Sequence, residues 1–533
     1  MFSSTRHQFV GIFTAASLLA VAASSAQATA SAADISGIFY GAPGLDIVEI
    51  SPGEFGPVGY VYPSMVYTLP GVFGAGGQAS GVGMGLGTAQ LVNGDILGQR
   101  GLVMTSTGTY QLDTLGTNSV AGWSPAGYGF SSAVAVNASG LIVGNSDLYS
   151  ADGTQNLGGR AVYYEAKSSV AHQLALPSGY TDTHGYGISG TSAVSSTGVI
   201  VGYANSFNGD TATGLQAMRW NSKTGTGQVL DKLPGTGEYG SSTITAAVNA
   251  KGTTVGTGNT FDSNGQLLGY SAIRWDANTT HATALGNLGT APDGTYSSSA
   301  AAINNAGTTV GQSSKFDTDG NYQGDRAVRW AANATAPVEL HSLAADPSGI
   351  SFSAALAIND AGTAVGMSQK YASDGSDLGM RAVSWAAGSV EPTELKLLSS
   401  GSNGESFSYA FSINASGFIA GTANVVGSAD NSFYDADSHA VVWTPGGEVI
   451  DLNTLLLPST GGEWTLESAY SISDSGWVTG MALYQPAGES SDYAYARLFS
   501  MQLMMPVPEP TTTAMLALGL AALALLRRRR PGC

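Results

Sequence analysis

Three turns in this chain carry closely spaced carboxylates: Asp317 and Asp319 in DTDG, Asp374 and Asp377 in SDGSD, and Asp435 and Asp437 in DADS. Carboxylates set this way in a glycine-containing turn can offer oxygen ligands to Ca²⁺. Asp-Gly is equally what a tight hairpin turn uses, and no run has the full calcium-loop pattern with its distal Glu. Calcium and plain turn both stand at this point, and no other cofactor is indicated. A carboxylate pair drawn from distant loops could also hydrolyse or cleave a polysaccharide, as a glycosidase or lyase would. Glutamate is scarce, and no single repeat is decorated for that role.

Other chemistry has little footing. The chain has no G-x-S-x-G elbow, P-loop, H-E-x-x-H or C-x-x-C. The glycine run Gly81–Gly87 lacks the strand-to-helix setting of a dinucleotide loop and reads as flexible or β. His172, His184, His281, His341 and His439 have no second histidine at ligand spacing, so they read as loop residues. Trp220, Trp275, Trp330, Trp385 and Trp443 share one register. They could stack on sugar rings, but recurrence at one position is the mark of packing between units. Trp123, Trp464 and Trp477 break that register, and Trp464 is the better ligand candidate among them.

The elements that would position these residues come from a repeat. Aligned on the second glycine of G-x-x-x-G, copies fall at Gly98, Gly144, Gly202, Gly256, Gly311, Gly366, Gly421 and Gly480, 46 to 59 residues apart. Each reads as a strand, an Asn-x-x-Gly turn, a strand ending near Val-Gly, a polar turn, an aromatic-ended strand and a leucine-bearing strand. Asn bonds its own turn backbone and Gly accepts positive φ, as tight hairpins require. Eight such units predict an all-β fold, a β-propeller of about eight four-stranded blades. A right-handed β-solenoid is the alternative. The last unit has no room for its leucine strand, and Met65–Gly71 is an orphan of that type, so an N-terminal strand is expected to close the ring and remove exposed edges.

The two ends read as processing signals. Arg6 and His7, an apolar run and small residues form a secretory signal peptide over residues 1–30, with cleavage after Ala28 or Ala30. At the other end VPEP (Val507, Pro508, Glu509, Pro510) precedes a sixteen-residue apolar run and then Arg527, Arg528, Arg529 and Arg530. The run suits a short transmembrane helix with the arginines kept cytoplasmic. Cys533, the only cysteine, lies beyond them, so the exported part would hold no disulfide. Removing Arg6 and the four tail arginines leaves 15 basic residues against 38 acidic, which repels nucleic acid.

The tail resembles the PEP-CTERM sorting signal of Gram-negative bacteria. That resemblance implies export by the Sec route, a transient inner-membrane anchor, exosortase as the processing partner, and a cell-surface or extracellular location alongside exopolysaccharide and biofilm systems. The repeat, IN-x-x-G-x-x-VG followed by an aromatic-ended strand, is similar to the HAF family of extracellular repeats, with its His-Ala-Phe reduced to HAV at His439 and to RAV, QAM or SAI elsewhere. This second resemblance implies fold and location but no catalysis. The chain is therefore divided into a signal peptide (1–30), an N-terminal β/loop segment (31–64), the propeller (65–503) and the sorting signal (504–533). Its expected function is non-enzymatic exopolysaccharide association or adhesion, with a secreted polysaccharide-degrading enzyme as the alternative.

Overall fold

The computed structural model describes residues 37–41, 84–93, 96–105, 108–117, 119, 127–234, 242–425, 437–456, 462–486 and 495–503. The unit centred on Gly311 shows how the sequence makes its elements. Its first strand, Tyr296–Ile303, turns at Asn304 into Thr309–Phe316; a polar turn leads to Tyr322–Trp330, and a short fourth strand follows at Pro337–Glu339. Asn304 closes the first turn itself, its Oδ1 accepting the N–H groups of Gly307 and Thr308 at 3.1 and 2.9 Å. Gly307 has φ +97°, which glycine alone adopts cheaply.

The second glycine of the motif answers to a different constraint. The register of the first two strands shifts between Ala300 and Ala302, and this bulge pushes the first strand toward its partner. A Cβ on Gly311 would stand 2.0 Å from the Ser299 carbonyl oxygen. At Gly144, Gly202, Gly256, Gly366, Gly421 and Gly480 the corresponding distance is 1.8 to 2.0 Å. The motif's first glycine thus serves backbone angle and its second serves close approach.

The assembled architecture is all-β and propeller-like. Among the described residues, strands pair into six sheets: four have four strands, one has seven and one has eight. The two larger sheets are each two units joined by a short parallel bridge, Leu97–Gln99 to Tyr128–Phe130 in one and Gly269–Tyr270 to Tyr296–Ser297 in the other. First strands of consecutive units lie side by side, and the strand Met84–Asn93 packs beside the last sheet. Apolar clusters sit between adjacent units. Ala302, Val310, Ala327 and Leu340 of one pack with Ala355, Ile358, Val383 and Trp385 of the next. No single sheet closes on itself among the described residues.

The last sheet corrects the sequence reading. Its order places Gly37–Gly41 outside Tyr495–Leu503, antiparallel, with Gly37 opposite Leu503 and Gly41 opposite Phe499. The fourth position is therefore filled by an N-terminal strand from within 31–64, a segment expected to stand apart from the repeats. Met65–Gly71, expected in that role, lies outside the described residues. The expected leucine strands are also shorter than the repeat suggested. Fourth strands within the repeats span only two to four residues, and Leu112, Leu174, Leu230, Leu285 and Leu340 follow them, buried. Among the described residues no helix is long and apolar enough to cross a membrane; the apolar run after Pro510 lies outside them, as do Val507–Pro510 and Arg527–Arg530.

Candidate functional site

The residues that recur most strictly spend their polar groups on neighbouring units. Trp220, Trp275, Trp330, Trp385 and Trp443 are buried, and each indole N–H donates to a backbone carbonyl of the preceding unit. Trp330 Nε1, for example, stands 3.0 Å from Gly286 O. In the register's earlier aromatic, Tyr164 donates its hydroxyl to Asp113 O at 3.0 Å. Packing between units accounts for these rings.

Asparagines form a second tie. Asn249 donates its amide to Asn304 O, Asn304 to Asn359 O, Asn359 to Asn414 O, and Asn414 to Ser473 O, at 3.1 to 3.2 Å. A third tie starts from the Arg-Ala pair of the third strand. Ala327 N–H donates to Ser353 Oγ and Ala382 N–H to Ser408 Oγ, both at 2.9 Å. The preceding Arg381, 1% exposed, reaches Ser406 O and Gly404 O across the junction. Its Nε stands 3.2 Å from Glu394 Oε1, an ion-pair contact without hydrogen-bond geometry. Lys370 holds the other oxygen of Glu394 at 2.6 Å. Where the seventh unit has His439 in place of arginine, Asp451 replaces the glutamate, with Nδ1 and Oδ2 2.7 Å apart.

Among the described residues the candidate calcium carboxylates join no group of three metal-ligating side chains. Asp317 Oδ1 accepts the N–H groups of Asp319 and Asn321, and its Oδ2 accepts the amides of Asn321 and Gln323. Asp374 Oδ1 accepts the N–H and hydroxyl of Ser376. Asp377 Oδ1 accepts Gly379 N–H and the Gln369 amide. Each carboxylate thus faces its own turn. Asp435 lies outside the described residues, and Asp437 begins the strand Asp437–Trp443.

These turn hydrogen bonds favour the charged form. The Asn321 side chain and backbone hold the Asp317 carboxyl below the ordinary range, and Ser376 does the same for Asp374. Asp152, held by Ser150 and Thr154, falls to about 2. Asp262, Asp293 and Asp346 are lowered in the same way by their own loops, and Asp210 by Thr183 of a neighbouring loop.

One group the sequence did not single out does converge. Asp182, His184 and Asp210 offer ligand atoms within 4.8 Å of one another. Asp182 and His184 come from a crossover loop and Asp210 from a hairpin turn 26 residues beyond the histidine. Only the short D-x-H pattern hinted at it. His184 and Asp210 are exposed, while Asp182 Oδ1 already accepts the N–H groups of His184 and Tyr186.

The other histidines are dispersed. His172 stacks on Tyr163 with centroids 4.9 Å apart, and His341 Nδ1 meets Glu391 at 3.0 Å. Trp464 is half-buried against the core of the last unit, with Tyr484 at 4.8 Å. Trp477 is buried, and Trp123 lies outside the described residues.

Against known proteins, a family described only as a protein of unknown function (DUF3466) matches residues 271–377, spanning the third strand of one unit to the third strand of the second unit after it. A PEP-CTERM protein-sorting motif matches residues 506–530, and that motif marks an extracellular or cell-surface protein. No curated protein matches the chain. Among solved structures, a prolyl endopeptidase is similar at TM-score 0.42 and 12% identity over 69% of this chain, which spans about half (49%) of that enzyme. The polysaccharide lyase Uly1 is similar at TM-score 0.38 and 10% identity, over 88% of this chain and 97% of its own. The β-propeller domain of the Trilobed protease from Pyrococcus furiosus is similar at TM-score 0.30 and 8% identity, over 70% of this chain and 94% of its own. Likeness this distant lends the chain none of their activities.

Proposed function

We propose that this chain is a Sec-exported, exosortase-sorted surface protein whose eight HAF-like units form one closed propeller, serving without catalysis as an exopolysaccharide-binding or adhesive module. The observation that carries the reading is the fate of the recurring polar residues. Tryptophan, asparagine and arginine positions repeat because they tie unit to unit, leaving a stiff frame rather than a converged catalytic group. The pairing of Gly37–Gly41 with Tyr495–Leu503, and the strand Met84–Asn93 beside the same sheet, support ring closure. The sorting motif at 506–530 supports transient anchoring in the inner membrane before processing by exosortase.

The test incubates purified residues 31–505 with the polysaccharide of the producing strain, and follows both retention and chain length. Retention at constant chain length is expected. Shortening of the polymer would replace the binding role with that of a lyase or glycosidase. Adding Ca²⁺ during thermal unfolding completes the test: a calcium site on the turn aspartates would raise the midpoint, and no shift is expected.

A further inference from the structure

The last sheet sends both of its terminal strands out at one end. Gly37 lies opposite Leu503, so the chain before Gly37 and the chain after Leu503 leave side by side. Leu503 is also tied to that end by its N–H, which donates to Gly476 O of the first turn at 2.8 Å. Gly476 belongs to the row of Asn-x-x-Gly-type turns linked by the asparagine ladder. Only three residues separate Leu503 from Val507, where the sorting box begins, and the apolar run opens at Thr511.

The spacing decides an orientation. Eight residues from Leu503 to Thr511 reach at most about 26–29 Å when fully extended. The strand Tyr495–Leu503 has nine residues, and a strand of that length is itself about 27–30 Å long. A molecule seated on its opposite end would use the whole tether running back along its own last strand.

Charge points the same way. The polar turns at the far end carry Asp152, Asp210, Asp317 and Asp374, all exposed, and the half-buried Asp262. At the other end the described first turns carry Lys251, Asp360 and Asp474, and the loops after the third strands, which lie beside them, carry Glu165, Lys167, Lys223, Asp276, Glu391 and Glu448, a set of mixed sign. A bilayer with anionic lipids repels the first, wholly acidic set within a Debye length of about 8–10 Å, and repels the second, where lysines offset half of the carboxylates, less.

From this placement we infer that the Asn-x-x-Gly turn end is the membrane-facing surface of the anchored protein, and that the acidic turn end faces outward. The partner of that surface is a lipid bilayer bearing anionic headgroups. The inference rests on the proposed sorting function, since it needs the apolar run after Thr511 to sit in a membrane.

The experiment uses the full chain with Cys533→Ser, in an exosortase-deficient strain, carrying one new cysteine at a time. Lys223→Cys and Ala387→Cys, both exposed, report the turn end; Ser263→Cys and Asp319→Cys, also exposed, report the far end. Spheroplasts are treated with a membrane-impermeant maleimide-polyethylene glycol, and each rate is divided by that of the same variant released in detergent. Normalised labelling at Ser263→Cys and Asp319→Cys is expected to be at least about tenfold faster than at the other two. Inserting thirty Gly/Ser residues between Leu503 and Val507 should abolish the difference. Equal rates without the insertion, or faster labelling at Lys223→Cys and Ala387→Cys, would overturn the orientation while leaving the anchor intact. A chain absent from the membrane fraction of that strain would overturn both the orientation and the sorting function.

Discussion

Trp330 does two things at once: its indole fills the junction between units, and its N–H satisfies the Gly286 carbonyl. Trp330→Phe keeps most of the apolar filling and removes the donor, so it should cost about 1–3 kcal/mol, read as a lower denaturant midpoint with unchanged slope. Asp474 makes a pH-dependent case. Burial pushes its carboxyl up, the charge of Asp360 adds to that, and the Ala415 N–H, which donates to Oδ1 at 2.7 Å, pulls the other way. A carboxyl raised in the folded state binds its proton more tightly there, so its ionisation weakens the fold as pH rises above the ordinary carboxylate value. Asp474→Asn keeps an acceptor for Ala415 and cannot ionise. It should be more stable than the parent at pH 7, by about 1 kcal/mol, and the gain should vanish near pH 3. The turn aspartates act with the opposite sign. Their carboxyls are lowered, so the stability they contribute is present above the ordinary value and is lost as pH falls toward about 2, the value for Asp152. These partnerships were hidden in the sequence, because Asp474 meets Ala415 across 59 residues. By contrast, the packing role of Trp330 was legible from register alone.

At the scale of the element, the unit was readable because both glycines of Asn-x-x-Gly…Val-Gly answer to local backbone geometry. The prediction that belongs here is Gly311→Ala. Its new methyl would collide with the Ser299 carbonyl across the bulge, and the forced shift should cost about 1–3 kcal/mol. Gly265→Ala tests a different cause, since nothing lies within 4 Å of a Cβ there but φ is +81°. It should cost less, about 1 kcal/mol, and a denaturation series on both variants separates crowding from backbone strain. The fourth strands were less legible. Leucine spacing announced them, but the leucines fall just beyond strands of two to four residues, where tertiary packing rather than alternation sets the ends.

For the whole molecule, the junction of the two chain ends decides integrity. Deleting Gly37–Gly41 leaves Tyr495–Leu503 with an unpaired edge, an aggregation-prone state. The deletion should lower the unfolding midpoint and shift size-exclusion profiles toward oligomers, and a synthetic peptide of residues 33–44 should partly reverse both. Five residues reading GIFYG carry no mark of the repeat and pair with a strand more than 450 positions away, so one-dimensional pattern could ask for a closing strand without finding it. What the sequence by itself determined was the repeating unit, its period and the sorting box, because turn chemistry, glycine geometry and motif order act over a few neighbouring residues. What only the tertiary structure decided was which strand completes the last sheet and that its two terminal strands leave at one end. It also decided that the recurring tryptophans, asparagines and arginines are consumed between units. Those outcomes depend on register and on partners some 25 to 60 residues apart, distances that folding alone brings within hydrogen-bond reach.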